Sequence, residues 1–335
     1  MGKTFIIAEM SANHNHNKEI AIETIKAAKK AGADAIKIQT YSSETETLDC
    51  RKPDFLLGDG LWEGETYFSL YRKADTPWEW HEDLYRIARE EGLICFTTPT
   101  DKYTIDFVEE LGNPIYKIAS FDIIDIPFIR YAASKHKPMI VATGIATEQE
   151  IQECVDAIRV EGNDDITLLK CTSAYPAPID KANLLTIPDM KQRFGVKVGL
   201  SDHSPGSTVP MAAVALGAEV VEKHFIIDRS IGGPDADFSM NFEEFKQMVE
   251  DVRNVEKSLG YVYYPTDPNQ ITGRENCRSL YVAEDMKTGD VITEKNVRAV
   301  RPGYGLSIKY LPQILGKKVN RDLETGDRFS LEFLS

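Results

Sequence analysis

Through the first 260 residues, short runs rich in β-branched side chains alternate with longer amphipathic stretches, and this alternation constrains the fold more than any other feature. Eight strands are expected, at 5–9, 35–39, 94–98, 115–119, 139–143, 166–172, 196–201 and 220–224. Helical periodicity falls between them, for example at 18–31, 78–91, 103–111, 147–160 and 208–216. Most of these stretches end beside a glycine placed for a left-handed cap: Gly32, Gly92, Gly112, Gly162 and Gly217. Eight β-then-α units predict an α/β protein built on a TIM (β/α)8 barrel. An open doubly wound sheet usually has fewer units, and no GxGxxG follows the first strand. An irregular insertion rich in Tyr, Trp and Gly at 49–73 is expected to rise over one rim or cover the outside.

The pattern changes after residue 260. The stretch GYVYYPTDPNQITGR has prolines, glycines and no periodicity, so 261–274 reads as a linker between a barrel domain at 1–260 and a small β-rich domain at 275–335. In the latter, strand-like runs at 279–283 and 297–301 are separated by turns, and RPGYG has the look of a binding loop.

Charge narrows the function. The net charge is −14, and it is uneven: residues 272–335 carry 11 basic against 9 acidic side chains, the rest 28 against 44. Such a balance argues against a nucleic-acid surface or an anionic membrane face. Five cysteines without CxxC spacing argue against a disulfide framework or a thiolate zinc site, and point to a reduced, cytoplasmic protein. No run approaches the roughly 20 apolar residues of a membrane span.

Catalytic groups of a barrel come from the C-terminal ends of its strands. Lys37, Lys117 and Lys170 each interrupt a strand that otherwise reads as buried. A buried ammonium needs a carboxylate partner, a depressed pKa or a bound anion, and three of them on one sheet favour an anion site over internal ion pairs. Lys223 is set apart, because alternation sends it to the face opposite its neighbour His224. Strands seven and eight end in GLSDH and EKHF, so His203 and His224 form a candidate metal pair, with Glu9 as third ligand or as a base acting through water. His14 and His16 read as polar rim residues, His81 and His136 as surface. Hydroxyls at Thr97, Thr98, Ser120, Thr172, Ser173, Tyr175 and Ser201 could donate to an anion, and Asp235 in GGPDADFSM could reach sugar hydroxyls. Two other readings stay open: a Schiff-base aldolase using Lys117 or Lys170, and a carbohydrate-binding protein acting through its small domain.

The blocks FIIAE, SANHN, AIKIQTY, YKIAS, CTSAYP, GLSDH, EKHF, GPD, FSM and RPGYG occur in an order that resembles the sialic acid synthases, which condense phosphoenolpyruvate with an amino-sugar aldehyde. The opening FIIAEMSANH, GLWEGETYFSLY and TPWEWHEDLY are most similar to the branch taking a 2,4-diacetamido-2,4,6-trideoxy hexose; neuraminate and legionaminate synthases are the alternatives. The resemblance implies donor contacts from Lys37, Thr98, Lys117, Ser120 and Ser201, an acid/base role for Glu9, and a divalent metal on His203 and His224, with manganese best suited and magnesium or cobalt possible. It implies acceptor contacts from Gln39, Tyr175 and Asp235. Asp122 and Ser173, which stand where neuraminate synthases commonly have Glu and Asn, would also contact the acceptor and count against N-acetylmannosamine. The small domain resembles the antifreeze-like (SAF) module, which in this family swaps onto a partner's barrel; that implies a homodimer with Arg301 reaching the acceptor.

Overall fold

The computed structural model describes residues 2–58 and 62–335, so Asp59–Leu61 of the insertion lie outside the described residues. The chain divides into two compact units, Met1–Gly260 and Tyr261–Ser335. In the first, eight parallel strands close a barrel in chain order: β1 (Phe5–Glu9), β2 (Ala35–Thr40), β3 (Ile94–Pro99), β4 (Tyr116–Ile118), β5 (Met139–Ala142), β6 (Ile166–Cys171), β7 (Lys197–Asp202) and β8 (Val220–His224). Closure pairs β1 with both β2 and β8, so Glu9 stands level with Lys37 on one side and His224 on the other.

Period-two alternation explains the interior. One layer of the lumen is apolar, made by Ile7, Ala35, Phe96, Ile140, Leu169 and Val220, with Ile115 packed against it. Two residues further along each of those strands come Glu9, Lys37, Thr98, Ala142, Cys171, Glu222 and Lys117. A polar floor therefore sits directly on the apolar plug at the C-terminal mouth, the end where this architecture places its chemistry. Gly199 belongs to the plug: a Cβ there would lie 2.6 Å from both Leu169 Cδ2 and the Val220 carbonyl oxygen. Gly199→Ala is expected to cost 1–3 kcal/mol, within the usual range of about 1–3 kcal/mol for overpacking, read as a lowered urea midpoint with an unchanged m-value.

The helices pack their apolar stripes on the outside of the barrel. In helix Lys18–Lys30, Ala21, Thr24, Ile25 and Ala28 share the buried face, and Asn17 caps the start by accepting from the Glu19 and Ile20 amides. The five glycines expected to end helices all have positive φ. Inside the insertion, the stretch read as irregular contains helix Tyr67–Ala74, started by a capping box between Thr66 and Ser69. No helix among the described residues is long and apolar enough to cross a membrane.

The second unit is built on the antiparallel pair β9 (Ser279–Val282) and β10 (Val297–Val300). Its own core contains Leu280, Val282, Met286, Ile292, Val297, Ile314, Val319, Leu323 and Phe329.

Candidate active site

The polar floor is a compact charge network. Lys37 Nζ lies 3.0 Å from Glu9 Oε2 and 3.2 Å from Glu222 Oε1, and Lys117 Nζ donates to the same Glu222 oxygen at 2.8 Å. Lys37 also donates to Thr98 Oγ1 at 3.0 Å, and Ser201 Oγ to Glu222 Oε1 at 3.4 Å. All four charged groups are buried, the most accessible being only 4% exposed. Lys37 and Lys117 are thus held in internal ion pairs, the arrangement that the sequence pattern favours less than an anion site. Lys170 does not join them: it points away from the lumen, donating to the Cys171 carbonyl at 2.6 Å and to Thr172 Oγ1 at 3.3 Å. Leu169 and Cys171 face inward, so alternation excludes the residue between them.

The network separates its two carboxyls. Burial raises Glu9 to about 7 despite Lys37, and Glu222 adds to the rise. Burial also acts on Glu222, but Lys117 and Lys37 outweigh it and hold the group at about 2. Burial pulls Lys37 down, yet the Glu222 and Glu9 carboxylates raise it to about 12. Lys117 is lowered, because burial exceeds the help from Glu222. Of the two carboxyls, Glu9 is thus the one poised to titrate near neutral pH, while Glu222 stays ionised. Although its charge faces Lys37, both Glu9 oxygens are buried without an aligned hydrogen bond, which leaves them able to accept one from a reactant.

Beside this floor, Ser120 Oγ accepts from the Ile145 amide at 3.1 Å and from Ser173 Oγ at 3.0 Å. Gly144 makes the approach possible, since a Cβ there would stand 2.3 Å from Ser173 Oγ and 2.8 Å from Ser120 Oγ.

Above the floor stand the imidazoles, with ring centroids 5.2 Å apart. His203 Nδ1 donates to the Thr172 carbonyl at 3.0 Å, which fixes the tautomer and leaves Nε2 with its lone pair. His224 Nδ1 is buried without a partner, 3.9 Å from Asp235 Oδ2. Burial lowers both rings, His224 far below the ordinary value with His203 and the lysines adding to the effect, so both are neutral. Neutral imidazoles with free ring nitrogens suit a divalent ion. Among the described residues no group of three or more His, Cys, Asp or Glu side chains converges as a metal site, so Glu9 does not gather with the two imidazoles into such a group. On the outer face, Lys223 pairs with Asp202 and also donates to the Ser204 carbonyl, as alternation required.

Tyr175 packs on the His203 ring at 4.4 Å and on Phe238 at 5.1 Å, and Phe238 in turn meets His224 at 5.0 Å. Gln39 is level with Thr98 at the strand ends. Asp235 Oδ2 accepts from Ser11 Oγ and, at 3.3 Å, from the Ala12 amide, so it ties the loop after β8 to the loop after β1. Asp122 lies half-buried beyond β4, where burial, Glu46 and Asp125 raise it to about 7. Arg301 is exposed and lies in the second unit, just past β10. Two histidines depart from expectation. His14 is buried, bonding Thr76 Oγ1 at 3.1 Å, and His81 is buried on Thr40 Oγ1 at 2.8 Å, whereas His136 is exposed.

Residues 24–264 match the model of the NeuB family. The chain belongs to the NeuB family. A SAF domain matches residues 278–331, where the β9–β10 unit folds. Among relatives of this NeuB-family chain, a pseudaminic acid synthase of Campylobacter jejuni is 48% identical, covering 97% of this chain and 95% of its own. One from Helicobacter pylori is 42% identical over 98% of this chain and 96% of its own. A solved N-acetylneuraminic acid synthetase from Leptospira borgpetersenii, in complex with citrate, superposes with a TM-score of 0.72 at 30% identity, covering 80% of this chain and 89% of that one.

Proposed function

We propose that the protein is a pseudaminic acid synthase, joining phosphoenolpyruvate to an open-chain 2,4-diacetamido-2,4,6-trideoxy hexose of the 6-deoxy-altrose type with release of phosphate. The observation that carries this reading is the near full-length similarity to pseudaminic acid synthases, and the buried floor supplies two ammonium groups for an anionic donor. In the reaction the enol carbon of the donor attacks the aldehyde carbon, water adds to the adjacent cationic carbon, and the tetrahedral intermediate expels phosphate by C–O cleavage.

Lys37 and Lys117 meet the donor's phosphate and carboxylate charges, supported by Thr98, Ser120 and Ser201. Glu222 is already ionised and cancels one ammonium, so with Glu9 protonated the floor keeps a net positive charge to meet the donor's anionic groups. Glu9, held near 7, exchanges the proton of the added water. His203 and His224 would hold a divalent ion, manganese by preference, and the ion would supply electrophilic activation of the aldehyde oxygen. Gln39, Asp122, Ser173 and Tyr175 surround the acceptor. Arg301 would reach the acceptor from the second unit of a partner chain in a homodimer, and mixing Arg301→Ala with a barrel-inactive variant should then restore activity.

Phosphate release assayed with a panel of acetamido sugars tests the reading. It should require both substrates, favour the diacetamido trideoxy hexose, stop in chelator and return with manganese. Full activity in chelator would remove the metal from the mechanism. A lysine trapped by borohydride would establish the Schiff-base alternative instead; Lys117, lowered by burial but engaged by Glu222 at 2.8 Å, is the lysine to inspect.

A further inference from the structure

The insertion between β2 and β3 brings Trp62 to the loops at the mouth of the barrel. Trp62 Nε1 donates to the Pro234 carbonyl at 3.3 Å, which anchors the indole to the loop after β8. Its ring lies 6.3 Å from that of Tyr175, after β6. Tyr175 continues to Phe238, and both touch the imidazole pair. Trp62, Tyr175 and Phe238 thus form a wall from three separate loops, standing outside the histidines and above the lysine and carboxylate floor. The donor's charges are met at the floor, so the second substrate is the one that meets the wall.

We propose that Trp62 is a specificity-determining residue for the acceptor, presenting an aromatic face to its methyl-bearing edge. This rests on the acceptor reading given above. A 6-deoxy hexose with an acetamido group at C4 offers methyl and C–H surface to such a wall, whereas N-acetylmannosamine offers a hydroxymethyl and a hydroxyl. Aromatic faces pack well against C–H groups, and a hydroxyl pressed on them loses its bond to water without replacement. The indole N–H is already spent on Pro234, so it cannot serve that hydroxyl. The face of Trp62 therefore favours the deoxy sugar over the hydroxylated one.

The test measures phosphate release by the full-length enzyme with each of the two acceptors, for wild type, Trp62→Ala and Trp62→Phe. Trp62→Ala should raise KM for the deoxy acceptor about ten-fold, keep KM for phosphoenolpyruvate within about two-fold, and reduce the kcat/KM preference between acceptors about ten-fold. Trp62→Phe should restore most of the preference. A merely structural tryptophan would lower activity toward both sugars alike, and an unchanged ratio in Trp62→Ala overturns the inference while leaving the acceptor reading intact. Wild type that uses N-acetylmannosamine as well as the deoxy sugar overturns the acceptor reading and the inference with it. Thermal midpoints of the three proteins show whether a lost ratio comes from a folded enzyme. If Trp62→Ala is unfolded, a Trp62→Phe enzyme whose preference equals that of a folded Trp62→Leu enzyme overturns the inference.

Discussion

Glu222→Gln is expected to lower the stability of the donor-free protein by about 3–5 kcal/mol, the usual cost of removing one member of a buried ion pair. The reason lies in the sharing of one oxygen. Lys37 and Lys117 both approach Glu222 Oε1, at 3.2 Å and 2.8 Å, whereas the close ion pair of Glu9 is with Lys37. A glutamine oxygen can accept from one ammonium but carries no charge, so Lys117 is left buried beside a like charge. The variant also has a second signature. An anion bound on the floor would replace the missing charge, so the rise in melting temperature produced by saturating phosphoenolpyruvate should be larger in Glu222→Gln than in wild type. Thermal unfolding with and without donor measures both effects. Equal stability and equal donor shifts would mean that Glu222 does not balance these lysines.

Glu222 also shows what the sequence made legible and what it did not. Period-two alternation separates Lys223 from His224, and the same rule puts Glu222 on the histidine's side of β8. The signal was there, but in VVEKH the carboxylate lies between apolar and basic neighbours and reads as an ordinary charge. Lys170 fails for the complementary reason. A lysine inside an apolar strand looks buried whichever way it points, and only its register relative to Leu169 and Cys171 shows that it leaves the lumen. The barrel itself was readable because each of its eight units repeats the same two periods. Trp62 and Phe238 were not, since they enter from loops, where position depends on contacts far apart in the chain: Trp62 reaches Pro234 across 172 residues. Buried His81 resembled a surface residue because it opens helix His81–Glu90, among charged neighbours, and its partner Thr40 lies on another element.

Glu9→Gln should slow turnover sharply and yet stabilise the protein at alkaline pH. Loss of a general acid or base typically costs about 10²–10⁴ in rate, so phosphate release should fall by at least the lower figure with KM for the donor little changed. The stability effect follows from linkage. Glu9 rises from an ordinary 4.5 to about 7 in the folded state, so between those values the native protein binds more protons than the unfolded chain. Stability contributed by this group is therefore complete below 4.5, declines as pH rises, and is lowest above 7. Glutamine mimics the protonated carboxyl and removes that decline. The variant should match wild type at acid pH and exceed it at about pH 8 by up to about 3 kcal/mol, at roughly 1.4 kcal/mol per pH unit. Urea unfolding at the two pH values measures the gap. A variant less stable than wild type at the higher pH would show that the ionised carboxylate is a net attraction to Lys37, which would in turn remove the reason for expecting Glu9 to release and recapture a proton near neutrality. The expected result has the opposite sense: the chain carries a carboxyl whose charge the fold resists, at the position proposed above to exchange the proton of the added water.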